Sequence, residues 1–147
     1  MYRSPFEILL VEDNPSDVEL VQEALAVWAA PNRLSVVDDG DKAIRFIHRQ
    51  HPYASAPVPE LILLDLNLPK RDGIEVLREI KADSQLAQIP VIVLTTSDRE
   101  QDVKKAYLLH ANCYLTKPLE IYAFIEKIRA IEHFWLDCAR LPRSLTA

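Results

Sequence analysis

Polar residues follow several apolar segments of the chain, and their types suit the binding of a metal ion and a phosphoryl group. They are Glu12, Asp13, Asp65, Thr95 and Lys117. Carboxylates in this number suit Mg²⁺, because a cation relieves their mutual repulsion. An aspartate can accept a phosphoryl group, and we assign that role to Asp65. We expect Glu12, Asp13 and Asp65 to hold Mg²⁺, with Glu12 and Asp13 as its main carboxylate ligands. Lys117 and Thr95 would bind the phosphoryl oxygens.

The segments that must position these residues alternate between short strands and amphipathic helices. Apolar runs typical of buried strands lie at 7–11, 61–64, 91–94 and 113–116, with a weaker strand at 34–37. A helical stripe follows each strand, and Pro15 and Pro118 are placed to open the first and last helices. Five βα units predict an α/β fold with a doubly wound, five-stranded parallel sheet. Ligands of such sheets bind at the carboxyl ends of the strands, so the polar residues should meet at one edge.

Length and composition limit the classes of function. The chain has 147 residues, which is enough for one domain. Seventeen basic against 22 acidic residues give a net charge of −5, which argues against a nucleic-acid partner. Gly40 and Gly73 are the only glycines. This excludes the dinucleotide fingerprint, the Walker A loop and the nucleophile elbow, each of which needs glycines close together.

The cysteines and the apolar runs bear on location. Cys113 and Cys138 are too far apart for a CxxC motif and do not suggest a secreted disulfide framework. No apolar run approaches the roughly 18 residues of a membrane span, and the first residues lack the apolar core of a signal peptide. We therefore expect a cytoplasmic protein without a membrane partner.

Four motifs in this order resemble the receiver domain of two-component response regulators. They are Glu12-Asp13, Leu64 to Pro69 with Asp72-Gly73, Leu94 to Ser97, and Tyr114 to Pro118. The resemblance covers roughly residues 6–131 and implies a flavodoxin-like fold with strand order 2-1-3-4-5. It also implies that the Asn67 carbonyl is a metal ligand and that Thr95 and Tyr114 are switch residues. Asn67 and Ser97 would tune dephosphorylation.

Two residues depart from the receiver pattern. Leu119 stands where many receivers have Phe, and Thr96 is bulkier than the Ala or Ser that is frequent at its position. Either difference could alter access to Asp65.

The C-terminal sequence is similar to that of short single-domain regulators paired with phytochrome-type histidine kinases. The similarity rests on residues 131–136, on Leu141-Pro142 and on the proline-rich loop at 52–59. We expect a receiver domain at 1–131, followed at 132–147 by an extension of the last helix and a tail.

The predicted last helix has a longer apolar stripe than one domain should cover. The stripe continues past Ile131 to Trp135 and Cys138, and a helix of more than about 18 residues would outreach a domain of this size. A homodimer could bury the excess, and a downstream protein is the alternative cover. The expected dimer residues are Tyr107, Tyr122, Phe134, Trp135 and Leu136, with Val103, Leu108 and Leu109 nearby.

The leading hypothesis is a phosphoacceptor signalling protein rather than an enzyme. By the resemblance, a histidine kinase of phytochrome type would supply the phosphoryl group, and the signal would leave by contact with an unknown downstream protein. One alternative is a Mg²⁺-dependent phosphatase of the haloacid dehalogenase type, although Asn67 stands where that family has a general-acid Asp. Another is a flavin-binding flavodoxin-like carrier, although no phosphate-cradling loop is visible.

The polar residues also have simpler explanations when each is taken alone. Asp13 and Asp65 could cap helices, and Lys117 could be a surface lysine. Thr95 and Tyr114 could be ordinary strand residues, with the threonine hydroxyl satisfied by backbone.

Overall fold

Five parallel strands form one sheet in the computed structural model, which describes residues 5–28 and 30–142. The strands are β1 (Phe6–Val11), β2 (Asn32–Val37), β3 (Leu61–Leu64), β4 (Val91–Thr95) and β5 (Cys113–Thr116). Their order is β2-β1-β3-β4-β5, and every neighbouring pair is parallel. This confirms the predicted doubly wound sheet. In the register, Val11 lies beside both Val37 and Leu64, so the carboxyl ends of the central strands are level.

Helices cover both faces of the sheet. They are α1 (Pro15–Ala26), α2 (Gly40–Ile47), α3 (Gly73–Ala82), α4 (Glu100–Leu108) and α5 (Ile121–Ile131). A short 3₁₀ helix, Leu86–Gln88, precedes β4, and a π-helix, Glu132–Cys138, continues α5. None of the helices in the described part of the chain is long and apolar enough to cross a membrane.

Side-chain capping fixes the first residue of α1, α2, α3 and α5. Pro15 opens α1 as predicted, and the Asn14 side chain accepts the backbone N–H groups of Ser16 and Asp17. The expectation that Pro118 opens α5 was wrong. The Glu120 carboxylate accepts the N–H groups of the second and third helical residues, so α5 begins only at Ile121.

The core consists of two apolar clusters, one on each face of the sheet. Side chains of β1, β3 and β4 alternate between them, with Leu9 in the cluster beneath α2, α3 and α4 and Leu10 in the cluster beneath α1 and α5. The central strands are continuously apolar because both of their faces are buried. The edge strand β5 is only half-buried, although its apolar run is typical of a buried strand, and Cys113 packs against the edge of the cluster beneath α1 and α5.

The C-terminal segment folds back on the core of its own domain. Leu136 is 5% exposed within the cluster beneath α1 and α5, and Trp135 packs against that cluster. The prediction that Leu136 is available to a partner was therefore wrong. In a π-helix, residues five apart share a face, so Leu136 follows the buried Ile131 inwards. Phe134 remains 55% exposed.

Candidate functional site

Polar residues meet at the carboxyl edge of the sheet. They are Glu12 and Asp13 after β1, Asp65 after β3, Thr95 at the end of β4 and Lys117 after β5. Backbone hydrogen bonds continue the strand pairing up to this edge. The Asp65 N–H donates to the Val11 carbonyl at 3.0 Å, and the Lys117 N–H donates to the Thr95 carbonyl at 2.7 Å. The extended ladder therefore aligns residues from four separate parts of the chain.

The ammonium of Lys117 lies among three carboxylates. Its Nζ donates to Glu12 Oε1, to Asp17 Oδ2 at 2.9 Å and to Asp65 Oδ2 at 3.1 Å, and the lysine side chain is only 5% exposed. Burial acts to lower the pKa of Lys117. The hydrogen bonds to Glu12 and Asp17 and the charge of Asp65 outweigh burial and raise that pKa above its usual range. Lys117 is therefore a buried ammonium paired with carboxylates and not a surface lysine.

Glu12 is the carboxylate of this group whose pKa is strongly raised. Burial raises the pKa of Glu12 to about 7, and the neighbouring charge of Asp65 acts in the same direction, against the hydrogen bond from Lys117. The second oxygen, Oε2, accepts the backbone N–H of Asn14 at 3.2 Å. One ammonium does not balance the negative charge here, and a further cation would relieve the excess.

The carboxylates of Glu12, Asp13 and Asp65 could supply that cation site. One oxygen of each lies within 4.8 Å of the others. Asp13 is exposed, whereas Glu12 and Asp65 are buried, so the cluster opens to solvent on one side. Hard oxygen ligands with space for retained water suit Mg²⁺ or a similar divalent ion. The residues present therefore fit the metal that the sequence predicts.

The Thr95 hydroxyl is a buried polar group without a hydrogen-bond partner among the described residues. The residue is fully buried, and Oγ1 contacts no acceptor. Buried hydroxyls nearly always have a partner, so this one is available for a hydrogen bond to a further group at the edge of the sheet. The alternative of a strand threonine satisfied by backbone is not what the structure shows.

Tyr114 links β5 to the loop between β4 and α4. Its phenol oxygen donates to the Ser97 carbonyl at 2.9 Å, and its backbone N–H donates to the phenol oxygen of Tyr107 at 3.1 Å. The Ser97 hydroxyl donates to Asp102 Oδ2 at 2.5 Å in α4. Tyr114 is half-buried. Any outward movement of the ring would break its bond to this loop.

The start of α3 packs closely behind Asp65. A Cβ atom at Gly73 would overlap with the Asp65 carbonyl oxygen, so only glycine permits this approach. The Gly73 N–H donates to the Leu66 carbonyl at 2.8 Å. Asn67 is exposed, and its backbone N–H donates to Asp65 Oδ1 at 3.2 Å. The close packing of α3 holds the Asp65 backbone in place, and the Asn67 N–H orients its carboxylate.

Asp17 is a residue of this site that the sequence analysis missed. It lies in the first turn of α1, and its side chain is 19% exposed. A signal was present, because α1 begins at the same edge of the sheet only two residues after Asp13. A carboxylate in the first turn of that helix can therefore reach groups at this edge.

The other predicted residues lie on the surface to different extents. Leu119 and Thr96 are exposed, and their effect on access to Asp65 stays a prediction. The expected dimer residues divide into exposed, half-buried and buried groups: Tyr107, Leu108, Tyr122 and Phe134 are exposed, Val103, Leu109 and Trp135 are half-buried, and Leu136 is buried.

Comparisons with known proteins identify the family. The sequence-family model described as the response regulator receiver domain matches residues 8–129. Response regulator Rcp1 of Synechocystis is 49% identical over 94% of each chain. The probable methanogenesis regulatory protein FilR2 of Methanothrix harundinacea is 41% identical over 94% of this chain and 88% of its own.

Solved structures agree with these sequence matches. The phosphorylated cyanobacterial phytochrome response regulator RcpA has a TM-score of 0.93 at 48% identity, covering 95% of this chain and 99% of that one. The Mn²⁺-bound form of Rcp1 has a TM-score of 0.92 at 49% identity, covering 94% and 99%. The resemblance to receivers and to phytochrome-linked regulators is confirmed, and the phosphatase alternative is not supported. The chain belongs to the response regulator receiver domain family, and its role is that of a phosphoacceptor in two-component signalling.

Proposed function

We propose that Asp65 is the residue that takes the phosphoryl group from the histidine kinase. The observation that carries this proposal is the pairing of Asp65 with the buried Lys117 ammonium at 3.1 Å, beside the unpartnered Thr95 hydroxyl. A phosphoryl group on Asp65 would give that hydroxyl an acceptor and the ammonium a new anionic oxygen. The protein then signals by contact and does not turn over an external substrate.

The chemistry needs only groups that the chain supplies and a divalent cation. An Asp65 carboxylate oxygen attacks the phosphorus of phosphohistidine, and the phosphorus–nitrogen bond breaks with its electron pair leaving on the imidazole. Lys117 and Thr95 hold phosphoryl oxygens. We propose Mg²⁺ at Glu12, Asp13 and Asp65, where it would neutralise the charge of the transferred group. The backbone carbonyl of Asn67 would be a further ligand.

The change at Asp65 would reach the surface through two switch residues. Engagement of the Thr95 hydroxyl by the phosphoryl group would draw the end of β4 towards Asp65. The Tyr114 hydroxyl donates a hydrogen bond to the Ser97 carbonyl in the loop that follows β4. A movement of this loop would therefore change the position of the tyrosine ring. Asn67 and Ser97 would set the rate at which water removes the phosphoryl group.

A small phosphodonor tests this function directly. Incubation with acetyl phosphate and Mg²⁺ should raise the intact mass by one phosphoryl group, and removal of divalent cations by chelation should prevent the gain. The purified protein should show no steady hydrolysis of p-nitrophenyl phosphate. A protein that gains no mass under these conditions would contradict the proposal.

Asp13→Ala is expected to weaken Mg²⁺ binding about tenfold or more, and Glu12→Ala by a smaller factor. Asp13 is exposed and open to a cation, whereas Glu12 is already held by Lys117. Calorimetric titration of the metal-free protein measures both affinities. Glu23→Ala, an exposed change on α1, is the control and should leave the affinity unchanged. An unaltered affinity in Asp13→Ala would remove the metal from this position.

A phytochrome-type histidine kinase is the proposed source of the phosphoryl group. The support is the similarity of nearly the whole chain to RcpA, a cyanobacterial phytochrome response regulator, and to Rcp1. A cytoplasmic location stays a prediction from the sequence.

We also propose that residues 1–131 form the receiver domain and that 132–147 contribute a contact to a homodimer; residues 143–147 lie outside the described part. The supporting surface runs over α4, α5 and the π-helix, where Tyr107, Leu108, Tyr122 and Phe134 are 48%, 77%, 77% and 55% exposed. A monomer rarely leaves an apolar patch of this kind in water, and one patch can serve both subunits of a twofold dimer.

Sedimentation at micromolar concentration should show a dimer that Tyr122→Ala and Phe134→Ala each weaken about tenfold, a size typical of an apolar interface residue. Val27→Ala removes a side chain that is 71% exposed at the end of α1 and is the matched control. A strict monomer, with and without phosphorylation, would argue instead that an unknown downstream protein covers the patch.

A further inference from the structure

The Lys117 ammonium has three protons, and each is donated in a hydrogen bond to a carboxylate. The acceptors are Glu12, Asp17 and Asp65. Two of these carboxylates also belong to the cluster that could hold a cation, together with Asp13. Asp17 does not belong to that cluster. A metal ion at the cluster would bind Glu12 and Asp65, so Asp17 is the one acceptor of the three that would not become a metal ligand.

Asp17 approaches the lysine from a well-anchored part of the chain. It is the third residue of α1, after Pro15 at the first position, and its own backbone N–H donates to the Asn14 side chain at 3.3 Å. The neighbouring Ser16 N–H donates to the same Asn14 oxygen at 2.9 Å. The capped first turn holds the Asp17 backbone, and a short side chain with few rotamers then directs its carboxylate at Lys117.

We propose that Asp17 is a positioning residue that keeps the Lys117 ammonium at the phosphoacceptor site during phosphoryl transfer. This inference rests on the proposed role of Asp65. Once Asp65 carries a phosphoryl group, the lysine proton that pointed at Asp65 is free for a phosphoryl oxygen. Asp17 continues to accept a hydrogen bond from a second proton of the ammonium. This contact keeps the long Lys117 side chain from adopting other rotamers.

A purely structural role for Asp17 makes a different prediction. A carboxylate in the first turn of a helix stabilises that helix through its dipole, whatever happens at Lys117. Loss of that effect would lower the melting temperature but would not depend on the lysine. The dependence on Lys117 therefore separates the two roles.

The test compares initial rates of labelling by acetyl phosphate at saturating Mg²⁺. Asp17→Asn should be about five- to tenfold slower than the wild type, because the amide oxygen can still accept the lysine proton but without the negative charge that strengthens the hydrogen bond. Asp17→Glu, which restores the charge, should recover most of the rate. Glu19→Gln is the matched control, because it removes one negative charge from an exposed position of the same helix and should keep the wild-type rate. In a Lys117→Met background, Asp17→Asn should cause no further loss.

A second measurement is independent of labelling. In the metal-free protein, nuclear magnetic resonance should detect the slowly exchanging ammonium protons of Lys117, and Asp17→Asn should accelerate their exchange with water. Glu19→Gln should leave that exchange unchanged. If Asp17→Asn does not fold, the folded Asp17→Glu protein must keep most of the wild-type rate together with slow ammonium exchange.

The outcomes distinguish this inference from the proposed function. A wild-type protein that takes no phosphoryl group contradicts the role of Asp65. Normal wild-type labelling combined with an unaltered rate in Asp17→Asn overturns the role of Asp17. An Asp17→Asn effect that persists in full without Lys117 also overturns it and leaves the helix-dipole role.

Discussion

Asp65→Asn is expected to abolish phosphorylation while the protein keeps its fold. The amide has nearly the same shape as the carboxylate, and its oxygen can still accept the hydrogen bond from Lys117. It is a much weaker nucleophile, so the intact mass should show no phosphoryl gain with acetyl phosphate and Mg²⁺. Removal of one charge from a crowded carboxylate cluster should not lower the melting temperature.

Asp72→Asn is the matched control for this experiment. It makes the same chemical change in the same loop, where the Asp72 side chain caps α3 by accepting the Glu75 N–H at 3.0 Å. Asparagine caps helices as well as aspartate does, so the fold and the labelling should both persist. Full labelling of Asp65→Asn, or equal loss of labelling in both variants, would contradict the assignment of Asp65.

Lys117→Met is expected to destabilise the metal-free protein by about 3 kcal/mol, because removal of one partner leaves buried charge without compensation. The carboxylates of Glu12 and Asp65 are nearly inaccessible to water and would repel each other without the ammonium. Mg²⁺ should restore much of this loss, since a bound cation stabilises the folded state and replaces the missing charge. The variant should also bind Mg²⁺ more tightly than the wild type, because no ammonium competes for the carboxylates.

Thermal unfolding with a chelator and with saturating Mg²⁺ measures the first two effects, and calorimetric titration measures the third. Lys104→Met serves as the control, because Lys104 is exposed on α4. That change should leave both the stability and the Mg²⁺ affinity at wild-type values. An equal loss of stability with and without Mg²⁺ would show that charge compensation is not the main role of Lys117.

The sequence alone was sufficient for the order of the elements and for most of the site. Short continuous apolar runs such as 61–64 are typical of strands covered on both faces, and parallel strands place their carboxyl ends at one edge. Glu12, Asp13, Asp65, Thr95 and Lys117 each follow or end such a strand, so local pattern and topology together predicted that they meet. The same pattern could not predict that the Thr95 hydroxyl lacks a hydrogen-bond partner, because this depends on all the atoms that surround it in the fold.

Tertiary structure decided three features that periodicity does not encode. The place of Asp17 depends on the direction in which α1 leaves β1, and its carboxylate meets Lys117 across 100 positions of the sequence. The start of α5 depends on whether Glu120 turns back to cap it, which competes with the preference of Pro118 for a first helical position. The burial of Leu136 depends on the change from α to π geometry after Ile131. In each case the outcome depends on packing between segments that are distant in sequence or on competition between local hydrogen bonds. A periodic pattern records only which face of a regular helix or strand is apolar, so it could not predict these features.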